Sequence, residues 1–150
     1  MSGKSLNTGG CQCGRVRYRV ETDKAQAYLC HCRMCQRATG GFAAAFVQVP
    51  AGALTWESEP DWYDSSPIAR RPFCSGCGTP FGFHFVDGKG HPDITLGSFD
   101  DPSGFTPEAH AGSQSILEAW LDTRDLPRHY IATTDSVAKR WKAAGREVPQ

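Results

Sequence analysis

The chain is 150 residues long, with 16 Lys and Arg against 16 Asp and Glu, a formal charge of +0 and a pI near 6.9. Balanced charge spread along the chain argues against a nucleic-acid backbone or an anionic membrane as partner, and no apolar run approaches the length of a membrane span. One domain with its own core is the expectation at this length, and the polar start "MSGKSLNT" carries no signal-peptide core, which points to the cytoplasm.

In chain order, residues 1–8 are expected to be flexible, 9–135 to form the folded domain, and 136–150 to be a C-terminal helix and tail. "GGCQCG" places Cys11 and Cys13 in a glycine-flanked bend. "RVRYRV" alternates Val16, Tyr18 and Val20 with arginines, the pattern of a half-buried strand. "CHCRMC" then packs Cys30, Cys32 and Cys35 into a short run, and "RMCQRATGG" predicts two helical turns stopped by Gly40 or Gly41. "GGFAAAFVQVP" reads as a strand, and "EPDWYDSSP" at 59–67 as a polar surface loop.

"CSGCGTPF" is a zinc-knuckle turn, with Gly76 inside it and Gly78 after it. "PFGFHF" sets Phe81, Phe83 and Phe85 on one core face and His84 on the other, and "PDITLGSF" is a further strand. Asp100 and Asp101 make a turn before Pro102. "DSVAKRWKAAG" predicts a helix capped by Asp135 or Ser136, with Val137 and Trp141 on one face and Gly145 as its stop. Trp56, Trp62, Trp120 and Trp141 read as packing residues. The sum is a mainly β, single zinc-stabilised domain with one or two short helices.

Seven cysteines grouped as C-x-C, C-x-C-x-x-C and C-x-x-C make a poor disulfide framework and a good set of metal ligands. Two sulfurs on one tetrahedral zinc lie just under ~4 Å apart, which a C-x-x-C turn delivers. Cys74 and Cys77 supply half of a closed site, and Cys11 and Cys13 the other half, giving a structural zinc. Cys30, Cys32 and Cys35 remain. Three ligands approaching from one side leave a corner open, the pattern of a catalytic zinc. Alternatively His31, His84 or His110 completes a second closed site. Arg33 and Arg37 offset the negative charge of the thiolates, hold a substrate carboxylate, or are solvated arginines.

The succession "GGCQCG", "CHCRMCQRATGGF", "FCSGCGTPFGF", "LGSFDDP" and "AWLDTRDLPRHY" resembles the glutathione-dependent formaldehyde-activating enzyme and CENP-V family, over about residues 9 to 130. The resemblance implies a domain of coiled antiparallel sheets around zinc, similar to the methionine-R-sulfoxide reductases. It implies two zinc ions, one structural on Cys11, Cys13, Cys74 and Cys77 and one active on Cys30, Cys32 and Cys35. It also implies carbon–sulfur lyase chemistry, in which glutathione and formaldehyde combine reversibly to S-hydroxymethylglutathione. The partner would be a small glutathione-like thiol taking the open zinc position, with His31 or His110 managing the proton.

The basic extension of the family's centromere-associated members is missing, so a chromatin role is not expected. Two function classes follow: a zinc-dependent lyase acting on a small thiol or its aldehyde adduct, and a non-catalytic zinc module that binds a protein partner. A redox dithiol comes third, because zinc shields knuckle thiolates.

Overall fold

Val16, Tyr18 and Val20 are almost completely buried, and the arginines between them point outward, so the alternation read from "RVRYRV" sets the facing of the first sheet. The computed structural model describes residues 3–149. In it β1 (Ser5–Gly10), β2 (Arg17–Thr22) and β5 (Leu54–Trp56) form a three-stranded sheet in the order β1-β2-β5. Residues 5–8, expected to be flexible, belong to β1, because pairing of Ser5 with Thr22 through Gly10 with Arg17 satisfies their backbone groups.

The second sheet has seven strands. It contains β3 (Gln26–Cys30), β4 (Ala44–Gln48), β6 (Asp61–Ser66), β7 (Ala69–Phe73), β8 (Gly82–Phe85), β9 (Asp93–Thr95) and β10 (Pro107–Ala111), in the order β10-β3-β4-β9-β8-β7-β6. All its pairs are antiparallel except β10 with β3, which run parallel, a departure from an all-antiparallel arrangement.

The main core gathers Val16, Tyr18, Val20, Val47, Phe81 and Ile94 between the sheets' apolar faces, with Tyr18 ringed edge-on by Trp56, Phe81 and Phe99. Tyr18 Oη is hydrogen-bonded to Ser98 Oγ at 2.8 Å, so the buried phenol is satisfied. A smaller cluster of Cys35, Ala44 and Phe46 packs with Tyr28, Cys30, Cys32 and Phe83.

Two further segments differ from the sequence reading. Residues 61–66 of the expected loop form β6, an edge strand paired only with β7; its charged and polar residues hide the strand pattern because one side of an edge needs no apolar face. Of the three phenylalanines expected in the core, Phe81 is fully buried, Phe83 is half-buried and Phe85 is 43% exposed. Phe83 and Phe85 pack edge-on at 5.2 Å, whereas Phe81 precedes β8 and lies in the main core.

Helix α1 (Arg33–Thr39) is the predicted two-turn segment, closed by Gly40 in the left-handed conformation. The first compact unit ends at Ile116, short of residue 135 where the sequence reading drew its boundary. The unit from Leu117 onward has its own elements, short 3-10 turns at Glu118–Trp120 and Ile131–Thr133 and then α2 (Asp135–Ala143). Thr134 caps α2, one residue before the predicted cap, and Val137 and Trp141 are its half-buried side. Trp56 packs in the core, whereas Trp120 is 59% exposed. Among the described residues no helix is long and apolar enough to cross a membrane.

Candidate metal centres

Two groups of cysteine sulfurs are brought together, and each can hold a metal ion: Cys11, Cys13, Cys74 and Cys77, and Cys30, Cys32 and Cys35, every sulfur within 4.8 Å of the others in its group. All seven sequence candidates therefore assemble, divided as the spacing predicts.

The four-sulfur group is made by two tight turns. Cys11 O accepts from Gly14 N at 3.0 Å, and Cys74 O accepts from Gly78 N at 2.7 Å. Sulfur separations of 3.5 Å for Cys11–Cys13 and 3.7 Å for Cys13–Cys74 suit a tetrahedral tetrathiolate ion. The knuckle glycine that the backbone demands is Gly78, at φ +81°; a Cβ on Gly76 would meet Cys74 Sγ at 3.6 Å, an ordinary contact, so its smallness is not what folds the turn. Val16 N donates to Cys11 Sγ at 3.3 Å, and Thr79 Oγ1 lies 3.2 Å from Cys77 Sγ; these contacts support thiolate charge. The Thr79 hydroxyl and N–H hold the Cys77 thiol down to about 6.

The three-sulfur group lies where β3 runs into α1. Cys30 ends β3, flanked by Ala44 of β4 on one side and Ala111 of β10 on the other. Cys32 caps α1, its sulfur accepting from Cys35 N at 3.3 Å. Cys35 faces inward, 4% exposed. Among the described residues no histidine or carboxylate joins this group.

The histidines are engaged elsewhere. His31, fully buried, places Nε2 2.8 Å from Nδ1 of the exposed His110 on β10. His84 packs edge-on to Trp62, and burial, with Arg70 nearby, pushes its imidazole down to about 4, so it is neutral.

Three features near the triplet escape a reading of the sequence. Arg71 on β7 is 4% exposed and donates from Nη2 to Cys35 Sγ at 3.5 Å and from Nε to Ser65 Oγ at 3.2 Å, with its guanidinium over the Phe83 ring. The one available signal was period-two alternation, which puts Arg71 on the same face as buried Ala69. Gly112, at φ +62°, lies so close to the triplet that a Cβ would come 2.6 Å from Cys32 N. Asp93, buried beside Tyr28 and Gln48, has its carboxyl pushed up to about 6 by burial. A cleft of about 350 Å³ runs past the C-terminal end of α1 and is lined by Thr39, Gly41, Ala44, Thr79, Thr95 and Ser98.

A sequence profile described as glutathione-dependent formaldehyde-activating enzyme matches residues 6–115, nearly the whole first compact unit. The chain belongs to this family. It is similar to an uncharacterized lyase of Schizosaccharomyces pombe, 27% identical over 81 residues, which are 54% of this chain and 59% of that protein's length. The match thus spans little more than half of the curated relative. A crystal structure of a Rhodobacter sphaeroides protein, 23% identical, superposes with a TM-score of 0.51 over 69% of this chain and 98% of that one, a likeness of fold. The family match spans all seven cysteines.

Proposed function

We propose that the protein is a zinc-dependent carbon–sulfur lyase that acts on a small thiol or its aldehyde adduct, of the S-hydroxymethylglutathione type, at Cys30, Cys32 and Cys35. The observation that carries this reading is the three-sulfur group with no fourth donor among the described residues, beside a four-sulfur group that is complete. Zinc held there would supply a Lewis acid with one exchangeable corner, where a thiol binds as a thiolate.

The chain's own residues do the rest. β3 and α1 bring the three sulfurs together at one junction, and a substrate would approach a metal there at whatever position the sulfurs leave uncovered. The His31–His110 pair runs from the buried interior to the surface and offers a route for the proton that a thiol releases on binding. Four thiolates at Cys11, Cys13, Cys74 and Cys77 would fill the coordination sphere of a second zinc, which supports a structural role for it.

The test is a metal count followed by turnover. Purified protein is expected to contain close to two zinc ions, one lost quickly to a chelator and protected by added glutathione. The metal-replete protein is expected to speed exchange between isotope-labelled formaldehyde and its glutathione adduct, followed by NMR. Equal resistance of both ions to the chelator, with no thiol protection, would replace this reading with that of a zinc-binding module for a protein partner.

A further inference from the structure

The triplet has a cationic neighbour that the proposed chemistry has not yet used. Buried arginines are uncommon without a counter-charge, since desolvating a guanidinium is expensive. Arg71 is 4% exposed, and among the described residues no carboxylate lies within ion-pair distance of it. The acid that feels its charge is Asp93, whose hydrogen-bonding neighbours are Gln48 and Tyr28. Of the groups that the Arg71 guanidinium touches, the Phe83 ring is uncharged, Ser65 is a hydroxyl, and Cys35 Sγ alone can be an anion.

Three thiolates around a dication leave one negative charge, and a fourth thiolate from a substrate would make it two. We infer that Arg71 is the counter-charge of the three-cysteine centre, a positioning residue that sets its preference for an anionic fourth ligand by offsetting the charge of the sulfurs through Cys35. This rests on the reading of the triplet as an open metal site. A protonated guanidinium has no lone pair to offer a metal, so Arg71, held at Cys35 and Ser65 and over Phe83, acts as a charge and not as a ligand. Its donor also draws charge from the Cys35 sulfur and leaves a bound metal a stronger acid toward the fourth position. Arg33 and Arg37, which the sequence offered for this task, lie on α1 and donate to no cysteine; Arg33 bonds Gln36 instead.

The test uses the full chain loaded with cobalt, whose spectrum reports the fourth ligand. Two probes are titrated: 2-mercaptoethanol, which binds a metal as a thiolate, and imidazole, which binds as a neutral molecule. Arg71→Met is expected to weaken thiol binding roughly tenfold or more and to leave imidazole binding within about twofold. A purely structural role would weaken both alike, so equal losses, or no loss of either, overturn the inference. Arg71→Gln keeps a donor toward Cys35 without the charge and is read in the same way; the same selective loss is expected, and its absence is equally decisive. Arg71→Lys, which keeps the charge, is expected to recover part of the thiol affinity. If the unsubstituted protein binds imidazole but no thiol, the proposed function itself fails, whereas thiol binding that survives unaltered in both neutral variants removes only the role of Arg71.

Discussion

Asp93 shows what position does to a single carboxyl. Burial on β9 raises it to about 6, against an ordinary value of 3.8, although Tyr28, Gln48 and Arg71 all favour the anion. The folded protein therefore binds this proton more tightly than the unfolded chain does. Its contribution to stability is fully present below the ordinary value and is lost as the pH rises through about 6. The full loss is on the order of 3 kcal/mol. Asp93→Asn, neutral at every pH, is expected to flatten this part of the pH profile of thermal stability. Metal loss in acid is common to both chains, so the difference between their melting curves isolates the carboxyl, and an unchanged slope would refute the assignment. Nothing in the local sequence "HPDITL" marks Asp93 as buried, because its partners come from β3, β4 and β7.

Elements whose pattern is local were legible in advance, and those defined by distant partners were not. The alternation in "RVRYRV" yields β2, and glycine after an amphipathic turn yields α1. The strand β6 escaped notice because an edge strand needs only one paired side. The parallel β10 escaped because the sequence of "PEAHA" does not reveal that it lies along β3. That pairing matters to the site. Ala111 O accepts from His31 N at 2.8 Å, and the next residue, Gly112, turns past the Cys32 backbone. Gly112→Ala demands a left-handed alanine and a contact of 2.6 Å, so Cys32 must move. The expected result is a triplet that loses metal to a chelator roughly tenfold faster while the four-sulfur ion is retained, read by metal analysis against time. Unaltered release from both sites would show that β10 does not support Cys32. The cysteine division itself was readable, since spacing alone separates two closing pairs from a compact run; Arg71, thirty-six positions after Cys35, was not.

For the whole molecule, the two cysteine groups differ in what they join. Cys11 and Cys13 sit between β1 and β2 of the smaller sheet, and Cys74 and Cys77 follow β7 of the larger one, so the tetrathiolate group ties the two sheets together. The triplet joins only β3 to α1. Cys77→Ala is accordingly expected to lower the melting temperature by more than 10 °C or to prevent folding, because metal binding there is folding energy, at roughly 2–4 °C per kcal/mol for a chain of this size. Cys32→Ala is expected to melt within a few degrees of the parent while losing one metal and all activity. Parallel thermal melts and metal analyses decide the matter, and identical behaviour of the two variants would mean that the division of labour is wrong. The same arrangement orders events on the ribosome. The triplet's donors emerge together, so an ion bound there would be able to load onto a nascent chain. The clasp between the sheets must wait for Cys77, and until then Cys11 and Cys13 are exposed as an unmatched pair of thiols to whatever oxidants or stray cations the cell contains.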